Sequence, residues 1–223
     1  MKDKVVLFAI LKYIIDIVGL AFILFVSAGT INYFEAWFLL IEIAILGIVY
    51  GIYMFINKKN IMKKRILECE KRKKELILIT LSILLIIIEL IISGISFRFN
   101  ILLMPNWRYI LSIVILVFGC TLFISVVNTN DYLFTTIKVE VKQHLIQNGP
   151  YKYIRHPMYT SVILIYLSMG LVLGSILAII FSFLFFIILK LRIEDEELIL
   201  INELNGYKEY MNKVKYKIIP YIW

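Results

Sequence analysis

Apolar residues along this chain fall into long runs that are separated by short polar or charged segments. Four of the runs are about twenty residues long, the length that an α-helix needs to cross the hydrocarbon core of a bilayer. The pattern predicts four membrane spans, at residues 5–28, 36–56, 76–97 and 109–127. The first run has no small-residue cleavage site, so we expect it to be retained as a span.

A fifth apolar run, residues 158–189, is too long for one ordinary span. As a single helix it would extend about 48 Å, against about 30 Å of hydrocarbon. Gly170, Gly174 and Ser175 lie near its midpoint and favour a break. We therefore predict a helix–turn–helix hairpin whose legs, about 20–24 Å each, dip into the bilayer or thin it locally. The spacing of the two glycines also suits close helix packing.

The composition supports a membrane protein: 61% of the residues are hydrophobic and the mean hydropathy is +0.90. The predicted fold is an all-α integral membrane protein, a helical bundle of about five to six transmembrane segments with the hairpin at its C-terminal end. We expect an N-terminal four-span membrane region at residues 1–127. A second region at residues 128–223 contains the hairpin and a charged tail that is expected to be cytoplasmic.

The positive charge is concentrated in one place, since nine Lys and Arg residues fall within residues 58–74. A basic segment between two spans is typical of a cytoplasmic loop that lies against anionic lipid, and here it predicts a short amphipathic surface helix. Counting spans from it puts both termini, and the segment at 149–159, in the cytoplasm. This placement of the net charge of +8 favours membrane lipids as partners and argues against nucleic acid.

Four ionisable residues lie inside the predicted spans: Lys12, Asp16, Glu42 and Glu89. Lys12 and Asp16 are spaced to pair on one helix face, and we expect Lys12 to extend toward the cytoplasmic surface. Such charges often mark function in membranes. They could line a polar path in a small transporter or scaffold subunit, although no internal repeat supports that alternative.

The cysteines and histidines are too few and too scattered to form a disulfide framework or a His-rich metal centre. Cys69 lies in the basic loop and Cys120 in an apolar run, while His144 and His156 are the only histidines. We therefore expect no metal site.

One segment concentrates the chemically distinctive residues, and it reads Gly-Pro-Tyr-Lys-Tyr-Ile-Arg-His-Pro-Met-Tyr over residues 149–159. Its two prolines predict a rigid turn that leads into the next helix. An interfacial belt would explain the tyrosines, but it would not explain prolines on both sides of the Arg-His pair. A second charged motif, Arg-Ile-Glu-Asp-Glu-Glu-Leu, follows the hairpin at residues 192–198.

These two motifs, in this order and spacing, resemble the isoprenylcysteine carboxyl methyltransferase family, and the related phospholipid N-methyltransferases share the pattern. The similarity covers about residues 129–221. The resemblance implies a membrane-embedded methyltransferase that uses S-adenosyl-L-methionine, and it makes residues 128–223 the cofactor-binding region. The chain departs from the family pattern at Thr160-Ser161, where relatives often carry a bulky residue and a glycine.

The resemblance also implies a set of site residues. Arg192 and Glu196 would be the catalytic pair, with Arg192 at the substrate and Glu196 on the cofactor. The residues implied for cofactor binding are Gln143, His144, Leu145, Ile146, Tyr151, His156, Pro157, Met158, Tyr159, Glu196 and Glu197. Alone, the i,i+4 spacing of Arg192 and Glu196 would more often mark a surface ion pair.

The residues are compatible with this chemistry, because tyrosine faces can contact a sulfonium and an adenine, and a carboxylate can hold an amino group or ribose hydroxyls. No Gly-rich dinucleotide motif is present. The acceptor is expected to be lipophilic or membrane-associated, and a carboxylate is favoured. Methylation of a phospholipid or other amine stays open, as does an NADPH-dependent membrane reductase of the steroid 5-alpha-reductase type. The residue usage suggests a bacterial cell membrane, and the oligomeric state stays open.

Overall fold

The computed structural model describes residues 2–67, 70–133, 139 and 143–223, so Cys69 lies outside the described residues. Within them the chain forms eight α-helices and one 3₁₀ turn, at Gly149–Lys152. The helices are α1 Lys2–Ala28, α2 Phe34–Asn57, α3 Lys59–Leu67, α4 Lys73–Phe99, α5 Trp107–Thr129, α6 Pro157–Leu173, α7 Ile176–Glu203 and α8 Tyr207–Lys213.

Five of these helices are long and apolar enough to cross a membrane, namely α1, α2, α4, α5 and α7. The four predicted spans correspond to α1, α2, α4 and α5. The shorter apolar helix α6 pairs with α7 as the predicted hairpin. The predicted all-α membrane fold is therefore confirmed, and α3 is the helix expected in the basic segment. Helices are the expected form here because a backbone in hydrocarbon must satisfy its own hydrogen bonds.

The hairpin turns at Gly174, which ends α6 with a φ of 71°. A left-handed φ of this kind favours glycine. The next residue, Ser175, caps α7 by accepting a hydrogen bond from the backbone N–H of Ala178 at 3.2 Å. The two legs are unequal, since α6 has 17 residues and α7 has 28. The charged segment at 190–205 is thus the continuation of α7 through Glu203.

Backbone hydrogen bonds place the hairpin turn at the far end of the bundle. The N–H of Met104 donates to the carbonyl of Gly174 at 2.8 Å, and the N–H of Ile176 donates to the carbonyl of Leu102 at 3.0 Å. Both partners lie in the connection between α4 and α5. The hairpin turn therefore lies at the level of the connection between the neighbouring spans, while the expected dip or local thinning of the bilayer stays a prediction.

Helix α4 is the central helix of the bundle, because it packs against both α1 and α7, while α5 packs along α6. Glu89 of α4 is buried and accepts a hydrogen bond from Ser182 of α7 at 3.2 Å. Gly170 of α6 approaches the same carboxylate so closely that an added Cβ would lie 2.8 Å from it. Gly170 and Glu89 thus belong to one contact between α4, α6 and α7, in agreement with the predicted packing role of Gly170.

The segment after α8 returns to the loop that precedes α6. The N–H groups of Arg155 and His156 donate to the carbonyls of Tyr216 and Lys217 at 2.9 and 2.8 Å. Thr160, at the position where the chain departs from the family pattern, donates its hydroxyl to the carbonyl of Ile218 at 2.8 Å. The tail at residues 214–218 therefore supports the Arg-His loop along its length.

Candidate active site

The loop at 149–159, the second half of α7 and the start of α8 surround a cavity of about 100 Å³. Two further segments complete its wall, at residues 130–133 and 143–146. The cavity lies at the end of the bundle where α4 begins, because α7 residues beside it form ion pairs with residues around the start of α4. It is thus at the same end of the bundle as the basic segment.

Most of the residues that the sequence suggested for the site are brought together here. The cavity is lined by Gln143, His144, Leu145, Ile146, Tyr151, His156, Met158, Tyr159, Arg192 and Glu196. Pro157 and Glu197 are not among the lining residues. Pro157 is the first residue of α6, where its fixed φ and missing N–H suit a helix start. Glu197 faces the neighbouring loop and tail.

Sequence reasoning did not assign the rest of the lining to the site. The additional residues are Asn130, Tyr132, Leu133, Arg155, Leu200, Leu204, Tyr207 and Tyr210. A signal for two of them was present, because Arg192, Glu196, Leu200 and Leu204 recur every four residues and so share one face of α7. The tyrosines of α8 are spaced by three, which also puts them on one face.

The loop takes its shape from its glycine and prolines. Gly149 has a φ of 56°, and an added Cβ there would lie 2.7 Å from the hydroxyl of Thr129. The 3₁₀ turn that it starts brings Tyr151 to the cavity. The Tyr151 hydroxyl accepts a hydrogen bond from Asn130 at 2.8 Å, and its carbonyl accepts one from the hydroxyl of Tyr210 at 2.7 Å. Loop, α5 end and α8 are therefore tied to one another through Tyr151.

Glu197 is the centre of a buried ion cluster behind the cavity wall. Its Oε1 atom lies 2.7 Å from Nε of Arg155 and 3.1 Å from Nε2 of His156. Its Oε2 atom lies 2.8 Å from Nζ of Lys217. The carboxylate thus joins three segments, α7, the Arg-His loop and the tail, and it holds the His156 ring by one edge.

Glu196, the next residue, is placed differently. Its side chain is 26% exposed and lines the cavity. In the described part of the chain its buried Oε2 atom has no hydrogen-bond partner, and Nδ1 of His156 lies 3.9 Å from it. The hydroxyl of Tyr207, also at the cavity, is likewise buried and unpaired there. Two polar atoms at this cavity are thus available for a bound molecule.

Arg192 is anchored by a residue from the N-terminal half of the chain. Its Nε atom lies 2.9 Å from Oε2 of Glu75, a fully buried side chain in the first turn of α4. The guanidinium carbon lies 6.0 Å from the centre of the Tyr159 ring. Asp195 strengthens the same junction through Arg72 at 2.8 Å and Lys74 at 2.7 Å. The start of α4 therefore fixes the position of Arg192.

Burial also changes the pKa of the tyrosines around the cavity. It raises the pKa of Tyr151, Tyr207 and Tyr210 above the ordinary tyrosine value. All three are neutral at physiological pH, and they present ring faces and hydroxyls rather than phenolate anions. The acidic group that lines the cavity in the described chain is Glu196, and the cationic groups are Arg155 and Arg192.

Fold and site together define a class: a helical membrane protein with a small polar cavity where a proline-bounded loop meets the charged end of a hairpin. A sequence profile of the isoprenylcysteine carboxyl methyltransferase (ICMT) family matches residues 110–202. This segment contains the loop, the hairpin and the Arg192–Glu196 pair. The predicted resemblance to this family is therefore confirmed over residues 110–202.

One solved structure similar to this chain is that of the eukaryotic intramembrane Ras methyltransferase ICMT, determined without a monobody. The two share 17% sequence identity, and the alignment covers 97% of this chain and 86% of the other with a TM-score of 0.47. No curated protein matches the sequence.

Proposed function

We propose that the cavity binds S-adenosyl-L-methionine and that the enzyme transfers its methyl group to a lipophilic or membrane-associated acceptor, with a carboxylate as the favoured nucleophile. The observation that carries the proposal is the buried, unpaired Oε2 atom of Glu196 at a cavity walled by tyrosines. A buried polar atom without a partner is rare in a folded protein, and it is expected at a ligand site.

The cavity residues fit this cofactor by type. Glu196 suits the cationic end or the ribose hydroxyls, and the faces of Tyr151 and Tyr159 suit a sulfonium or an adenine ring. The side chains of Leu200 and Leu204 add an apolar surface for the base. When bound, the cofactor would supply a methyl group attached to a cationic sulfur. The nucleophile would attack the methyl carbon, and the sulfur would be the leaving group. The work of the protein is then alignment and the exclusion of water.

The charges at the cavity favour an anionic acceptor. Arg192 has a fork of donors suited to a carboxylate, and Glu75 holds that fork in place through Nε. A carboxylate acceptor is ionised at neutral pH and needs no base. An amine acceptor would first have to lose a proton, and Glu196 is the one acidic side chain among the described residues that line the cavity. Since Glu196 is assigned to the cofactor, carboxylate methylation is the simpler reaction.

The location of the cavity supports an active site that faces the cytoplasm. Asp195, next to the catalytic pair, contacts Arg72 and Lys74 at the end of the basic segment. Basic segments between spans are retained on the cytoplasmic side. The acceptor would then enter from the inner leaflet or from the cytoplasm.

The test is calorimetry with S-adenosylhomocysteine on purified protein in detergent. Glu196→Gln should weaken binding about thirty- to a thousand-fold, the effect of losing a charge-assisted bond of roughly 2–4 kcal/mol. Glu194→Gln is the matched control, since Glu194 is an exposed glutamate on the same helix. Wild-type affinity in Glu196→Gln would overturn the proposal, and so would a wild-type protein that does not bind the ligand.

The second arm separates the acceptor from the cofactor. Arg192→Ala should slow turnover, or weaken the acceptor, more than it weakens S-adenosylhomocysteine. The assay follows methyl transfer from labelled cofactor to a lipophilic carboxylate and, in parallel, to an amine lipid. Methyl transfer to the amine lipid and not to the carboxylate would contradict carboxylate methylation and would support amine methylation instead.

A further inference from the structure

The basic segment between α2 and α4 lies at the depth of the lipid headgroups. Just before it, Phe55 and Ile56 at the end of α2 are exposed. Just after it, Leu76 and Ile77 near the start of α4 are exposed as well. Exposed apolar side chains at the ends of two spans face the edge of the hydrocarbon. The charged residues between them therefore lie in the headgroup layer.

Four lysines of this segment make up a basic surface: Lys59, Lys63, Lys71 and Lys73. All four are exposed, and none of them forms an ion pair with another described residue. Lys59 and Lys63 are one turn apart on α3, while Ile61 lies about 200° around the helix from Lys59 and is buried. The Nζ atom of Lys59 lies 4.3 Å from the centre of the exposed Phe55 ring. The basic side of α3 is therefore turned toward lipid.

The first half of the same segment holds one wall of the cavity. Lys58, just before α3, forms an ion pair at 2.6 Å with Asp131, which lies in the wall segment at 130–133. Ile61 of α3 packs in one apolar cluster with Leu133 and Tyr151. Both of these residues line the cavity. The position of this wall thus depends on the position of α3.

The second half of the segment holds the opposite wall. Arg72 and Lys74 form ion pairs with Asp195 of α7 at 2.8 and 2.7 Å. Glu75 follows them directly, and its carboxylate holds Arg192 at the cavity. One continuous basic segment therefore contacts the cavity from two sides, through cations that are distinct from the basic surface.

The segment carries a large excess of positive charge, since nine basic and only two acidic residues lie within residues 58–74. Repulsion between like charges opposes their compact arrangement, and anionic headgroups relieve it. We propose that the basic surface binds anionic phospholipids of the cytoplasmic leaflet, and that the bound lipid stabilises both contacts with the cavity walls and so strengthens cofactor binding. The lipid surface stands on the charges alone, while its effect on the cofactor rests on the proposed function.

The affinity for S-adenosylhomocysteine in lipid nanodiscs, measured by calorimetry, tests the coupling. One set of nanodiscs contains phosphatidylcholine alone, and the other contains an equal mixture of phosphatidylcholine and phosphatidylglycerol. Wild-type protein should bind the ligand at least about fivefold more tightly in the mixture, the lower end of ordinary coupling between two sites. The gain should shrink at high salt, because surface charges are screened. Equal affinity in the two membranes would overturn the coupling.

A combined variant identifies the surface that responds to the lipid. Changing Lys63, Lys71 and Lys73 together to Gln should abolish the gain in the mixed membrane and leave the affinity in phosphatidylcholine at the wild-type value. The matched control removes the same number of exposed lysines from α8 and the tail, and it should keep the full gain: Lys208→Gln, Lys213→Gln and Lys215→Gln. A full gain in the first variant would show that the basic surface is not the lipid site.

Lipid retention gives a readout that does not depend on the cofactor. Native mass spectrometry of complexes released from the mixed nanodiscs should show phosphatidylglycerol retained by wild type in preference to phosphatidylcholine. Each lysine removed from the basic surface should reduce this preference about fivefold. Equal retention of the two lipids by wild type would overturn the lipid surface. Preferential retention without ligand binding in either membrane would support the surface and refute the proposed cofactor.

Discussion

Replacement by glutamine should lower the stability of the protein at Glu197 but its affinity for S-adenosylhomocysteine at Glu196. Glu197 is 7% exposed in its side chain and binds Arg155, His156 and Lys217 within 2.7–3.1 Å. Glu197→Gln preserves the size of the side chain but leaves the buried Arg155 and the partly buried Lys217 opposite a neutral amide. Breaking a buried pair in this way costs about 3–5 kcal/mol. For a chain of this size, that corresponds to a fall of roughly 6–20 °C in the unfolding midpoint.

Glu196→Gln removes a carboxylate that has an unpaired oxygen and a longer contact, 3.9 Å, to Nδ1 of His156. Its effect on the free energy of unfolding should therefore be within about 1 kcal/mol, or about 2–4 °C in the midpoint, while the affinity for S-adenosylhomocysteine falls. Thermal unfolding in detergent, followed by tryptophan fluorescence without ligand, measures the first quantity, and calorimetry measures the second. An unchanged midpoint in Glu197→Gln, or an equal loss of stability in both variants, would refute the assignment of a supporting role to Glu197 and a binding role to Glu196.

Three further outcomes are expected. Gly174→Ala should lower the unfolding midpoint by about 4–8 °C, because a left-handed φ of 71° and contact with the Arg108 side chain together cost about 2 kcal/mol. The control is Gly51→Ala, where an added Cβ would meet no atom within 4 Å, and its midpoint should be unchanged. Lys217→Met should destabilise the protein by about 1–3 kcal/mol through the loss of a charge-assisted bond, and a wild-type midpoint would contradict this. Burial raises the pKa of Tyr151 above 10.0, so the stability of wild type relative to Tyr151→Phe should be constant below about pH 10 and fall above it; midpoints at pH 8 and 10.5 measure this.

The spans could be predicted because lipid leaves the chain few choices. A run of about twenty apolar residues becomes a helix in a bilayer, and Gly174 marks the one place where the long run bends. The length of α7 was harder to predict. The sequence changes from apolar to charged near Lys190, but no Gly or Pro interrupts residues 176–203, so the backbone continues as one helix through the change of environment.

The site residues that belong to local sequence motifs could be predicted, but the contacts that depend on tertiary packing could not. The loop residues and the Arg192–Glu196 spacing pointed to the cavity. The ion pair between Glu75 and Arg192 could not be predicted, since the two residues are far apart in the chain and no periodicity links them. The different contacts of Glu196 and Glu197 could not be predicted from the sequence either. Neighbouring residues on a helix point about 100° apart, and only the packed structure shows which groups each side chain contacts.

The tail that supports the Arg-His loop has a consequence for the order in which the enzyme is made. The loop N–H groups at residues 155 and 156 bond to carbonyls at 216 and 217, and Arg155 also donates to the carbonyl of Lys215, 60 residues further on. Because a chain is made from its N-terminus, the loop and the hairpin are synthesised before the tail residues that shape the loop. A nascent chain already anchored by all its spans would still lack a finished cavity. Such a chain should acquire ligand-dependent protection from proteolysis only after the tail is released.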